Sequence, residues 1–169
     1  MDANTITAIC ALAVSVFATG LGVWSAVVQR KHMRLSVRPI ATVQVADYDE
    51  RVAVYLANNG LGPMLIKMLR VTHKNGQKYD DIVSHMPEVL WSNFYDNVDG
   101  TTLENGKRLD LLVLKGDPSD LDFQESRDKV RRSLKDLTVR LEYEDLYGKS
   151  MNPVQKELSW FGRHKAGPN

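Results

Sequence analysis

Residues 6–28 carry no Asp, Glu, Lys, Arg or His, and apolar side chains fall on every face of a helix drawn through them. A helix rises about 1.5 Å per residue, so the stretch covers the roughly 30 Å hydrocarbon core of a bilayer. It stops abruptly at Gln29-Arg30-Lys31-His32-Met33-Arg34. The pattern predicts one transmembrane helix with a soluble domain hung from it. A core helix of a soluble protein is shorter and polar on one side. A cleaved signal peptide needs a basic leading segment, a shorter apolar core and a small-residue cleavage site. Here Asp2 and the amino terminus are the charges ahead of the run, and the basic cluster follows it. We therefore expect a retained anchor over residues 1–29 and a basic juxtamembrane segment over 30–34.

Over residues 35–161 the period falls to two. Leu35, Val37, Ala41, Val43 and Val45 alternate with Ser36, Arg38, Thr42 and Gln44, predicting a half-buried strand, and Pro39 assigns it to an edge or a bend. Val52, Val54 and Leu56 predict a second strand. Residues 58–63 break the pattern: Gly60 and Gly62 can take positive φ, and Pro63 fixes its own. A third strand over 66–74 ends in the hairpin turn Asn75-Gly76, with a return from 77 to 79.

Val83, Met86, Leu90 and Phe94 lie on one helical stripe broken by Pro87, so a helix is expected to start near that proline. Trp91, Phe94 and Tyr95 make the most aromatic patch and are candidate partner contacts. Leu109, Leu111 and Val113, backed by Leu112 and Leu114, predict a strand apolar on both faces and hence central. Ser119 with Asp122 signals a helix start. Phe123, Val130 and Leu134 then keep helical spacing, giving an amphipathic surface helix over 120–135, a second candidate contact surface. Leu137, Val139, Leu141 and Tyr143 alternate cleanly, and Val154, Leu158 and Trp160 fit a final strand. Residues 162–169 lack apolar groups to bury and are expected to form a flexible tail.

About six or seven short strands with two helical insertions predict a mainly β domain, an immunoglobulin-like or Greek-key β-sandwich. A small partly open barrel is the alternative.

Charge sets the orientation. Lys and Arg flank only the C-terminal end of the apolar run, so the positive-inside rule places Asp2 outside and Arg30 onward in the cytoplasm, at an inner membrane. Trp24 falls near the inner interface, where an indole is favoured. Arg30, Lys31 and Arg34 can meet anionic headgroups, each contributing about 1 kcal/mol. Ala18, Gly22 and Ala26 recur at four-residue spacing, a small-residue face on which such helices can self-associate.

The 169 residues carry a formal net charge of +1, which offers no field for nucleic acid. The one cysteine, Cys10, lies inside the apolar run, so no disulfide or cysteine zinc site forms within a chain, as suits a reducing compartment. The histidines are His32, His73, His85 and His164. His85 beside Ser84 and near Asp81 invites a hydrolase, but a nucleophile elbow, an orienting third group and an oxyanion loop are lacking. Asp47, Asp49 and Glu50 lack the spacing of a calcium loop, and Gly60 and Gly62 lead into a strand rather than a phosphate-binding helix. Neither an enzyme activity, a cofactor nor a metal is expected.

Leu56-Ala57-Asn58-Asn59-Gly60-Leu61-Gly62-Pro63-Met64-Leu65-Ile66 resembles the pattern L-x-N-x-G-x-G-P-A-x-I, with Met64 at the usual Ala. Leu141-Glu142-Tyr143-Glu144-Asp145-Leu146-Tyr147-Gly148 resembles I-x-Y-x-D-x-Y-G. Both occur in this order in a loose set of largely uncharacterised small bacterial proteins with one N-terminal membrane helix and a β-rich cytoplasmic domain. The resemblance implies that architecture and a bacterial or phage-related source, and no reaction. Physically, a strand-end Asn can bond the backbone amides of a turn, glycines permit a tight reversal, and a Tyr-Gly ending can tether a connection as in a tyrosine corner.

The expectation is a non-enzymatic single-pass scaffold whose cytoplasmic domain binds a protein partner or its own copies. The alternative is a sensor or effector for a small ligand, such as a nucleotide second messenger in antiphage defence, with a pocket lined by Arg38, Arg70, Arg131 or Arg140. A hydrolase around Ser84, His85 and Asp81 is a distant third.

Overall fold

The computed structural model describes residues 2–163. The chain divides into two compact units, Met1–Val37 and Arg38–Asn169.

The first unit is one helix, α1, Ala3–Ser36, with no buried residue. The Asp2 carbonyl accepts the amides of Thr5 and Ile6 at its start. The strand expected from Leu35 is therefore helix at that point. Four alternating residues are too few to override a helix already running, and nothing breaks the backbone until Pro39. Its ring disfavours the helical conformation at Arg38, and the helix ends just before.

The second unit holds nine strands among the described residues: β1 Ala41–Tyr48, β2 Arg51–Asn58, β3 Met64–His73, β4 Lys78–Tyr79, β5 Asn93–Phe94, β6 Thr102–Leu103, β7 Arg108–Lys115, β8 Leu137–Glu144 and β9 Val154–Glu157. A helix, α2, Leu121–Leu134, connects β7 to β8. One sheet has the order β1-β2-β7-β5 and the other β4-β3-β8-β9, with β6 also pairing β3. Every pairing described is antiparallel. The sheets do not close into a barrel. They share one core: Val52, Val54 and Leu56 from the first sheet join Ile66, Val71, Val139 and Leu141 from the second, all 0% exposed. Each such side chain contributes about 1.5–3 kcal/mol by leaving water.

The central strand expected around Leu112 is β7, buried from Leu111 to Leu114 between β2 and β5. The alternation of β8 is observed, with Leu137, Val139, Leu141 and Tyr143 inward. The helix expected near Pro87 does not form. A single 3-10 turn, Val83–His85, precedes the proline, and a short strand follows it. The start of α2 also differs from expectation. Asp120 is its cap, its carboxylate accepting the Asp122 amide at 2.9 Å, whereas Ser119 turns back onto Asp117. Of the expected tail, Gly162 and Arg163 belong to the 3-10 turn Ser159–Arg163, and residues 164–169, with His164, lie outside the described residues.

Register defines two ends of this unit. Ala41 faces Asn58, Ala57 faces Arg108 and Leu65 faces Glu144. Arg38, loop 58–63, turn 104–107 and turn 145–149 therefore share one end, where the chain enters. The β1–β2 hairpin marks the far end, where Gly116 donates to the Glu50 carbonyl and Lys74 to that of Asp136, bringing both termini of α2 there.

Candidate functional site

The described part of α1 is long and apolar enough to cross a membrane, and none of its most apolar stretch is buried. Three hydroxyls of its N-terminal half are satisfied within the helix. Thr7, Ser15 and Thr19 donate to the carbonyls of Ala3, Ala11 and Ser15 at 3.0, 2.8 and 2.8 Å. Such back-bonding removes the cost of a bare hydroxyl in hydrocarbon. Trp24 is 70% exposed, and Arg30, Lys31 and Arg34 ride the same helix beyond the apolar run. Ala18, Gly22 and Ala26 are exposed, and a methyl built on Gly22 would meet nothing within 4 Å, so this face is open to another helix.

The aromatic patch splits. Trp91 is half-buried and packs against the main core. Phe94 and Tyr95 are 45% and 43% exposed. They lie at β5, which pairs Phe94 with Leu112 and forms the edge of its sheet. The outward-facing part of the predicted contact is thus Phe94 and Tyr95, with Trp91 holding the segment down.

The Asp81–Ser84–His85 group forms a cluster but not a nucleophile–base pair. The Asp81 carboxylate accepts both the amide and the hydroxyl of Ser84, each at 2.6 Å. His85 Nδ1 instead meets the Tyr79 hydroxyl at 3.1 Å, and its ring lies 4.7 Å from that of His73. Burial, then the neighbouring His73, lowers the His85 pKa, while Asp136 opposes them. Among the described residues no group of three His, Cys, Asp or Glu side chains is placed to hold a metal ion.

Three of the four arginines named for an anion pocket face carboxylates of their own chain. Arg70 meets Asp80 at 3.3 Å and Asp99 at 3.1 Å, and Arg140 meets Glu142 at 2.9 Å. Arg131, 7% exposed, donates through Nε to Asp47 at 2.8 Å and through Nη1 to Asp128 at 3.0 Å. Arg163 adds a contact to Asp47 at 3.2 Å and stacks over Trp160. Asp47, read from sequence only as one of an acidic trio, is thus a buried anchor joining β1 to α2. Its position was a signal: it follows Val43 and Val45 on the inward face of the strand, where a charge requires a partner.

Both sequence motifs build turns at the entry end. Asn58 is fully buried. Its Oδ1 accepts the amides of Ile40 and Gly60 at 3.2 and 3.0 Å, and its Nδ2 donates to the carbonyls of Gly62 and Leu103 at 2.8 and 3.0 Å. One side chain thus ties both sheets and the entering chain together. Gly60 is needed for close approach rather than for a positive φ: a Cβ there would lie 2.3 Å from the Arg38 carbonyl oxygen. In the second motif Asp145 holds the turn. Its Oδ1 accepts the amides of Tyr147 and Lys149, both at 2.9 Å, while Gly148 takes φ +72°. Tyr143 packs in the core and Tyr147 points outward, 53% exposed.

No family model, curated protein or solved structure matches the chain, so its own geometry carries the functional reading.

Proposed function

We propose that this chain is a non-enzymatic, single-pass protein of a bacterial inner membrane, with its N-terminus outside and an immunoglobulin-like β-sandwich in the cytoplasm. Its task is to hold that sandwich at the membrane, where it binds a protein partner or further copies of itself. The observation that carries this reading is the division of the chain. A wholly exposed apolar helix is joined to a compact unit that has its own complete core. A helix with no buried face gains nothing from its own globule and needs a lipid solvent.

The basic run after the helix supports the orientation. The open face at Ala18, Gly22 and Ala26 supports association of anchors. Phe94 and Tyr95, at the edge of a sheet, support a protein contact, because exposed aromatics at a strand edge favour pairing with another chain.

The test is crosslinking in native membranes, followed by mass-spectrometric identification of what is captured. Cytoplasmic proteins or the chain itself, captured through positions near Phe94 and lost in Phe94→Asp, are the expected result. Neighbours confined to the periplasm would overturn the orientation.

A further inference from the structure

The entry end of the β unit presents a greasy, cationic rim with no assigned role. Leu61 is 70% exposed, Leu146 69%, Tyr147 53% and Ile40 52%. Leu61 and Leu146 crown the two turns that Asn58 and Asp145 hold from beneath. These are rigid supports: each buried polar side chain is spent on fixing a short loop whose outermost residue is apolar. A loop fashioned only for a reversal gains nothing from a leucine in water.

Charge is added to grease. Arg38, Lys107 and Lys149 are exposed on the same entry segment and turns, against one exposed carboxylate there, Glu104. Cations mixed with apolar tips fit an anionic lipid surface, where side chains sink roughly 5–10 Å into the headgroup boundary. Chain connectivity supplies the reach. Residues 29–37 alone separate the apolar run from Arg38, and along a helix they span roughly 14 Å. The tether that joins the rim to the apolar run is therefore short.

We propose that this rim docks on the anionic surface of the membrane that α1 crosses, with Leu61 and Leu146 as its inserted tips. The proposal rests on reading residues 6–28 as an anchor. It adds a second, peripheral contact that would restrict how the sandwich presents Phe94 and Tyr95.

The experiment uses the full chain in phosphatidylcholine–phosphatidylglycerol vesicles doped with headgroup-nitroxide lipid. In a Cys10→Ala background, Leu61→Cys, Leu146→Cys and Leu121→Cys each carry an environment-sensitive fluorophore. Leu121 is the control, a leucine 76% exposed at the far end. The expected result is a blue shift and loss of most fluorescence at 61 and 146, none at 121, and weaker quenching when phosphatidylglycerol is omitted. Equal, water-like emission at all three positions would overturn the proposal. A blue shift at 61 and 146 without nitroxide quenching would overturn it too, because another protein surface would then cover the rim. The unsubstituted chain labelled at Cys10 reads the anchor separately: failure of acyl-chain nitroxides to quench it would refute the anchor rather than the rim.

Discussion

The Asn58 carboxamide accepts the Gly60 amide at 3.0 Å, and a Cβ on Gly60 would collide with the backbone of Arg38 and Ile40. The entering chain, the end of β2 and the β6 carbonyls are closed by this one arrangement. Asn58→Leu keeps the branched skeleton but is larger, and it orphans the Ile40 and Gly60 amides and the Gly62 and Leu103 carbonyls. Each unsatisfied buried group costs about 1–3 kcal/mol, so a loss of roughly 3 kcal/mol or more is expected. Gly60→Ala should also destabilise, by about 1–3 kcal/mol, because backbone rather than a side-chain tip must move. Denaturant melts of the full chain in micelles measure both.

Asp47 and Arg131 predict a different signature. Removing one partner of a buried pair costs about 3–5 kcal/mol, while removing both together costs much less. Asp47→Leu and Arg131→Met should each fall in that range. The double variant Asp47→Leu with Arg131→Met should be more stable than the sum of the single losses predicts. A strictly additive cycle would mean that the pair is not coupled.

His85 makes stability depend on pH. Burial and the adjacent His73 lower its pKa below the ordinary value near 6.5. The unfolded chain then binds the proton more readily than the folded one. The stability is fully present above about pH 6.5 and declines as pH falls through that value toward the lowered one. His85→Gln should reduce the drop in melting temperature between about pH 7.5 and pH 5.5. An unchanged drop would assign it to other groups.

The open anchor face predicts self-association. Gly22→Ile places a branched side chain where helices would meet. Energy transfer between labelled copies in vesicles should fall in this variant and stay unchanged in Val23→Ile on a neighbouring face. Equal transfer in all three proteins would remove the small-residue face as a contact.

Strong periodicity was legible and weak periodicity was not. β8 was readable because four positions repeat the same inward choice, and β7 because five are apolar and buried across both faces. The segment before β1 was not, because Leu35 and Val37 satisfy alternation and helix equally, and Pro39 settles the boundary. Around Pro87 the stripe of Val83, Met86, Leu90 and Phe94 mimicked a helix. In the fold Val83, Met86, Val89 and Trp91 pack on the core, while Leu90 is 94% exposed. An irregular covering segment can carry apolar residues at helical intervals without being a helix. Asn58 was legible as a turn former, but its bonds to Leu103 and Glu104 join distant stretches that no local pattern links. The inward position of Asp47 was readable, but its partner Arg131, 84 residues away, was not, for the same reason.

The central claim is that residues 6–28 hold the β unit at a membrane. Alkaline carbonate extraction of cells expressing the unmodified full chain tests it most directly. The account predicts that the chain stays in the membrane pellet and leaves it only with detergent. Recovery of full-length chain in the carbonate supernatant would contradict it.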